Sequence, residues 1–221
     1  MGLSLQVSNV SKSYNGRPVL KNCSYCFSSS GIYVLMGANG SGKSTFLRIC
    51  ALLEEPDRGE VNYLSGGGVI KKDINLRRRI TLVLPEIGIF NTTVFNNVAY
   101  GLKIRKLSRG EIRARVERML DFVGLIQKRD QNALTLSSGE RQRLGIARAM
   151  VIEPEILFLD EPTASVDKEN TEIIEEIILK MKNNGSIIII TTHDVSQAER
   201  LGQRILLMED GRIVERDRRP E

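Results

Sequence analysis

Apolar and polar residues alternate from Leu5 to Val10, the pattern of a half-buried strand. Val19 to Phe27 reads as a second strand after an Asn15-Gly16 turn. Ile32 to Met36 is a short apolar run that ends in a glycine-rich loop, and Lys43 to Leu53 then has helical periodicity. Glu60 to Leu64 and Ile80 to Leu84 read as strands separated by a Gly66-Gly67-Gly68 loop. From about Pro85 to Gln131 the pattern is mostly helical, with Val116, Leu120 and Val123 forming a stripe beside Glu111, Arg115 and Arg118. Beyond it the spacing predicts helices over Glu140 to Ile152, Lys168 to Lys182 and Val195 to Leu201. Strands are predicted over Ile156 to Leu159 and Ile187 to Thr191, and a closing hairpin over Arg204 to Met208 and Arg212 to Glu215. Strands alternating with helices predict an α/β fold on a mainly parallel sheet covered by helices on both faces.

At 221 residues the chain fits one domain, or one core with a lobe. Its 41% hydrophobic and 27% charged residues are ordinary for a globular protein. No apolar run approaches the ~20 residues that cross a bilayer. Met1 to Ser11 lacks the charged and apolar regions of a signal peptide, so a cytoplasmic protein is expected. The net charge of +5 raises the question of a polyanion partner. The basic residues are interleaved with acids, however, and the densest run, Arg77 to Arg79, is expected to be a solvated face. With no Trp and 5% aromatics there is no base-stacking platform, and no nucleic-acid partner is expected. Cys23 and Cys26 are spaced C-x-x-C, but one such pair and Cys50 supply neither four zinc ligands nor an even disulfide set. All three are expected to be small buried hydrophobes in a reducing compartment.

The chemistry begins at Gly37-Ala38-Asn39-Gly40-Ser41-Gly42-Lys43-Ser44, a complete G-x-x-x-x-G-K-[ST] motif between a predicted strand and a predicted helix. Glycines there let backbone N–H groups turn inward, and the helix N-terminus adds its dipole, so the loop is built for phosphates. Lys43 is expected to reach the β- and γ-phosphates and the Ser44 hydroxyl to ligate Mg²⁺. Ile156 to Leu159 runs into Asp160 and Glu161 at the carboxyl edge of the sheet, where ligands bind in such folds. Asp160 is expected in the Mg²⁺ shell and Glu161 beside the attacking water.

Leu136-Ser137-Ser138-Gly139-Glu140-Arg141-Gln142-Arg143 resembles the signature of the ATP-binding cassette family, and the resemblance extends over essentially the whole chain. It implies a phosphate-loop NTPase core with a mainly parallel sheet, an N-terminal antiparallel β region and a helical lobe. The core would span residues 1–84 and 132–221 and the lobe residues 85–131. It further implies a head-to-tail dimer in which Ser137, Ser138, Gly139 and Glu140 meet the γ-phosphate held by the opposite chain. Within that family, Tyr14 would stack on adenine, and Gly37 to Ser44 with Thr45 would hold ATP. Ser165-Val166-Asp167 would cross the dimer interface, and His193, in Thr191-Thr192-His193-Asp194, would help Glu161 align water. Phe90 to Leu102 resembles the lobe segment of importer ATPases that receives transmembrane permease subunits. It is most similar to importers of oxyanions such as tungstate or molybdate, which implies an indirect link to a substrate-binding protein. The implied position is cytoplasmic, peripheral on the inner face of the cell membrane. With the chain ending at Glu221, the regulatory domain of many relatives is expected to be absent.

Three positions depart from the family pattern. Ser138 replaces a glycine, Glu140 replaces a glutamine, and Pro85 stands where a glutamine usually joins core to lobe. Proline has neither N–H nor side-chain amide. Either Glu86 takes over metal sensing or coupling to the lobe is altered. Two other classes compete with a transport ATPase. A soluble cassette acting on nucleic acid or ribosomes usually carries two cassettes or a long coiled-coil insertion. A phosphate-loop kinase or GTPase is weakened by the signature and by the lack of N-K-x-D.

Overall fold

The computed structural model describes residues 2–164, 166–182 and 185–215. Met1, Ser165 and Glu221 lie outside them. The chain forms two compact units. The first comprises residues 1–82, 155–161 and 181–221, and the second residues 83–154 and 162–180. The segment 85–131 lies wholly inside the second unit, which also takes in the helix that follows Ser137.

The first unit is built on two sheets. Strands β1 (Ser4–Tyr14), β2 (Arg17–Phe27), β4 (Arg58–Ser65) and β5 (Gly68–Val69) form an antiparallel sheet in the order β2-β1-β4-β5. The Gly66 to Gly68 stretch is therefore not only a loop, because Gly68 pairs with Ser65 and opens β5. A six-stranded sheet runs β10-β9-β3-β8-β7-β6, from β10 (Arg212–Glu215) and β9 (Arg204–Glu209) through β3 (Gly31–Met36) and β8 (Ile187–Thr192) to β7 (Ile156–Asp160) and β6 (Ile80–Val83). Strand β3 is parallel to β8 and β9, and β7 is parallel to β8, while the β9–β10 hairpin is antiparallel. Every residue of β3, β7 and β8 is buried, which explains continuous apolar runs rather than alternation.

One apolar cluster joins the sheets to helix α1 (Lys43–Cys50), drawing on Leu5, Phe27, Tyr33, Phe46, Leu47, Tyr63 and Phe158. Phe27 and Tyr33 meet edge to face with centroids 5.0 Å apart. Cys23 and Cys50 are buried here, but Cys26 is exposed. On a strand of period two, residues three apart point to opposite faces, so the C-x-x-C spacing itself separates the pair. Nor is the arginine run simply solvated. Arg77 donates to the Leu52 carbonyl at 2.8 Å, and Arg79 forks onto the Glu155 carboxylate at 2.5 and 2.9 Å. These bonds tie the short helix α2 (Ile74–Arg77) and β6 to neighbouring segments of the same unit.

The second unit is helical, with α3 (Val94–Ile104), α4 (Arg109–Phe122), α5 (Ser138–Met150) and α6 (Lys168–Met181). Thr93 caps α3, and Ser108 with Glu111 forms a full capping box on α4. Asn97, fully buried, is satisfied by its bonds to the Phe90 N–H and to the Phe90 and Thr93 carbonyls.

Phe158 is fully buried in the core of the first unit. Phe158→Ala is expected to cost about 3–5 kcal/mol, and Phe158→Leu, which keeps most of the volume, under about 1.5 kcal/mol. Urea unfolding midpoints check both values.

Candidate functional site

The glycine-rich loop follows β3 directly and ends at Gly42, which precedes α1. Gly42 has φ 106°, and an added Cβ would lie 2.9 Å from the Leu20 side chain and 3.0 Å from the Val19 carbonyl. Only glycine fits there. Among the described residues no side chain caps α1, so the first-turn N–H groups of the helix are left for another acceptor.

Lys43 is buried and donates to the carbonyls of Gly37 at 2.8 Å and Ala38 at 3.1 Å. Its ammonium also lies 3.4 Å from Oε1 of Glu161, whose Oε2 is 3.4 Å from Nδ1 of His193. Glu161 itself has φ 45°, a left-handed conformation that a non-glycine residue holds only under constraint. The constraint is visible: its N–H donates to Oγ1 of Thr191 at 2.9 Å. The Thr191 hydroxyl in turn donates to Oδ1 of Asp160 at 2.7 Å. Strand register makes this possible, because Asp160 on β7 pairs directly with Thr191 on β8. Oδ1 of Asp160 also accepts the Ser44 hydroxyl at 3.0 Å. Its other oxygen, Oδ2, is buried without a partner among the described residues.

A buried, half-satisfied carboxylate beside a serine hydroxyl is a pair of hard oxygen ligands, the donor set that suits Mg²⁺ when substrate phosphates and water complete the shell. Asp160, Ser44, Glu161, Lys43 and His193 are thus brought together at the carboxyl ends of β3, β7 and β8. His193 is exposed just after β8, where Asp194 turns the chain by capping α7 (Val195–Leu201). Asn39 and Gly40 are exposed on the loop, and Ser41 and Thr45 are half-buried; the Ser41 hydroxyl oxygen is buried without a partner among the described residues.

Tyr14 ends β1, 40% exposed. Its hydroxyl bonds Oε1 of Glu54 at 2.5 Å, and Lys12 lies 5.7 Å from the ring centroid. Lys12 also pairs with Glu54 at 3.5 Å and Asp57 at 3.3 Å and bonds the Glu55 carbonyl. Burial, reinforced by the bond to Glu54, raises the Tyr14 phenol above its ordinary pKa. The ring is thereby fastened to the segment that follows α1.

In the second unit, Ser137 and Ser138 are exposed, Gly139 is buried and Glu140 is half-buried at the start of α5. Ser137 accepts from the Glu140 N–H, and Glu140 accepts from the Ser137 N–H at 3.0 Å, a complete capping box. A Cβ on Gly139 would lie 2.2 Å from the Asn170 side chain, which bonds Asp167 at 3.0 Å. The glycine is what lets α6 approach the start of α5. Pro85 and Glu86 are both exposed.

Glu54 and Lys12 carry no motif in the sequence, and Thr191, part of the His193 motif, shows its bonds to Asp160 and Glu161 only once the β7–β8 register is known.

A family model described as ABC transporter matches residues 20–164. The tungstate uptake system ATP-binding protein TupC of Peptoclostridium acidaminophilum is 38% identical over 216 residues, 97% of this chain and 99% of that protein. The phosphate import ATP-binding protein PstB 2 of Natronomonas pharaonis is 37% identical over 224 residues, 96% of this chain and 78% of that one. Among solved structures, cbiO1 from Clostridium perfringens, described as part of the ABC transporter complex cbiONQ, superposes with a TM-score of 0.85 at 29% identity. That match covers 97% of this chain and 88% of cbiO1. The α/β architecture with its antiparallel N-terminal sheet, the phosphate loop and these matches agree: the chain belongs to the ABC transporter family, as one of its ATP-binding ATPases.

Proposed function

We propose that this chain is the ATP-hydrolysing subunit of an importer in the cell membrane, working as a head-to-tail dimer. The observation that carries the reading is the Asp160 carboxylate, half-satisfied by Ser44 and Thr191, beside the Lys43–Glu161–His193 constellation. In this reading the loop from Gly37 to Thr45 holds the phosphates of ATP, with Lys43 leaving Glu161 to face the β- and γ-phosphates. Ser44 and Asp160 hold Mg²⁺, which when bound draws charge from the phosphate oxygens. Glu161 accepts a proton as water adds to the γ-phosphorus and the bridging oxygen leaves with ADP. His193 keeps Glu161 and that water aligned, and Tyr14 stacks on the adenine. Ser137, Ser138, Gly139 and Glu140 face the γ-phosphate bound by the opposite chain, whose residues complete this one's site in return. Residues 1–84 and 132–221 act as the catalytic core and residues 85–131 as the lobe.

Import is supported by the names of several relatives, which include phosphate, methionine and tungstate systems. An oxyanion such as tungstate is the cargo favoured by the similarity to the tungstate uptake protein. The lobe offers a surface for transmembrane permease subunits: Phe90, Tyr100 and Ile104 are exposed, and the first two rings pack 4.7 Å apart with the Arg148 guanidinium 4.5 Å above Phe90. A substrate-binding protein would engage those permeases, leaving this chain peripheral on the cytoplasmic face. Among the described residues no helix is long and apolar enough to cross a membrane.

Steady-state MgATP hydrolysis followed against protein concentration tests the proposal. The rate is expected to rise more steeply than linearly. Glu161→Gln is expected to lose about 10²–10⁴-fold in kcat, the scale of general-base catalysis, while still binding ATP. A strictly linear rise with full activity in that variant would sink both the dimer and the base assignment. Tyr14→Ala is expected to raise KM about tenfold with little change in kcat, since stacking on one base contributes about 1–3 kcal/mol. An unchanged KM removes Tyr14 from the base site.

A further inference from the structure

Glu140 places a negative charge in the first turn of α5, at the end that the proposed function turns toward a phosphate. Its two oxygens are both engaged. Oε2 takes the Ser137 N–H at 3.0 Å, and Oε1 is paired with the Lys128 ammonium at 2.5 Å. Lys128 ends the 3-10 turn Ile126–Lys128, which is held from α4 as well as from α5. The Lys128 N–H bonds the Leu125 carbonyl at 3.0 Å, and neighbouring Arg129 pairs with Glu117 of α4. Arg143 also acts on the Glu140 carboxylate, but its guanidinium is committed to the Val123 and Gly124 carbonyls, and that of the adjacent Arg141 to the Leu134 and Leu136 carbonyls. Burial raises the Glu140 carboxyl, but the bonds from Lys128 and Ser137 outweigh it and hold the pKa below its ordinary value, so the group is ionised.

The capping box occupies the N–H groups of Ser137 and Glu140 and leaves those of Ser138 and Gly139, in the first turn, without intrahelical acceptors. Those N–H groups attract an anion, while an unpaired carboxylate a few ångströms away opposes it. We infer that Lys128 is a positioning residue for hydrolysis: it cancels the Glu140 charge and pins the carboxylate as a cap, so that the start of α5 presents N–H groups and the Ser137 hydroxyl to the phosphate. This deepens the proposed function and rests on it.

The test compares Lys128→Met, Glu140→Gln and the double variant in the full chain by steady-state MgATP hydrolysis at two ionic strengths. Lys128→Met is expected to lose about tenfold in kcat/KM in low salt, where a charge a few ångströms from the phosphate is weakly screened. The loss is expected to shrink to about twofold near 0.5 M salt, as screening shortens. Adding Glu140→Gln, which keeps a capping acceptor without the charge, is expected to make the double variant at least about threefold faster than Lys128→Met in low salt and equal to the Glu140→Gln single variant. A silent Lys128→Met overturns the inference. So does a Glu140→Gln variant as impaired as Lys128→Met with no rescue in the double, because a pair that only braces the helix behaves that way. Urea midpoints for all three keep folding losses apart from catalytic ones. Ser137→Gly, which removes the hydroxyl at little cost to the cap, separates the two levels. If it slows hydrolysis and Lys128→Met does not, the inference alone falls. If both are silent, the reading of this helix end as phosphate-facing falls with it.

Discussion

The Asp160 carboxylate is 1% exposed at the end of a strand whose other residues are Ile156, Leu157, Phe158 and Leu159. An ionised carboxylate in such a place costs several kcal/mol unless it is bonded. Two hydroxyls meet it, from Thr191 on the adjacent strand and Ser44 on α1. Each bond fixes something larger. Thr191 can reach only if β7 and β8 hold their register, and Ser44 only if α1 starts where the loop from β3 delivers it. The Thr191 hydroxyl also accepts the N–H of Glu161 and holds that residue in its left-handed conformation. The placement of Glu161 against Lys43 and His193 is therefore a consequence of how Asp160 is satisfied. One oxygen left without a partner among the described residues marks where the arrangement still has capacity for a cation.

A second constraint is the treatment of helix N-termini. Helices α3, α4, α5 and α7 each begin with a serine, threonine or aspartate that accepts a first-turn N–H. Helix α1 begins with Gly42 and has no side-chain cap. A cap there would compete with any anion for the same N–H groups, so its omission follows from the chemistry of the loop. On α5 the box is closed but reaches only the outer N–H groups, and it uses a charged residue to do so.

The contiguous chemistry was legible in the sequence. The glycine-rich loop, Asp160 and Glu161, and His193 each lie at the end of a predicted strand; residue type and position point the loop and the two acids to phosphate chemistry, and the family resemblance points to His193. The buried strands were legible for the same reason, as runs too apolar for a surface. Contacts between distant segments were not. Tyr14 and Glu54 are 40 positions apart, and Arg79 and Glu155 are 76 apart. Nothing local in either partner announces the other. The arginine run looked solvated because its acceptors, the Leu52 carbonyl and Glu155, come from elsewhere in the chain. Cys26 differs from the expected buried position for another reason: the period of a strand assigns it to the face opposite Cys23.

The family departures divide along the same line. Pro85 has neither a side-chain amide nor an N–H, and both it and Glu86 are exposed. At Glu140 the substitution adds a charge, and the structure supplies the counter-charge from twelve residues earlier, on a turn anchored through α4. The charge of that carboxylate is paired with Lys128 and both of its oxygens are bonded. The side chain that differs from the pattern and the one that answers it are therefore best treated as a single unit, and neither position is interpretable alone.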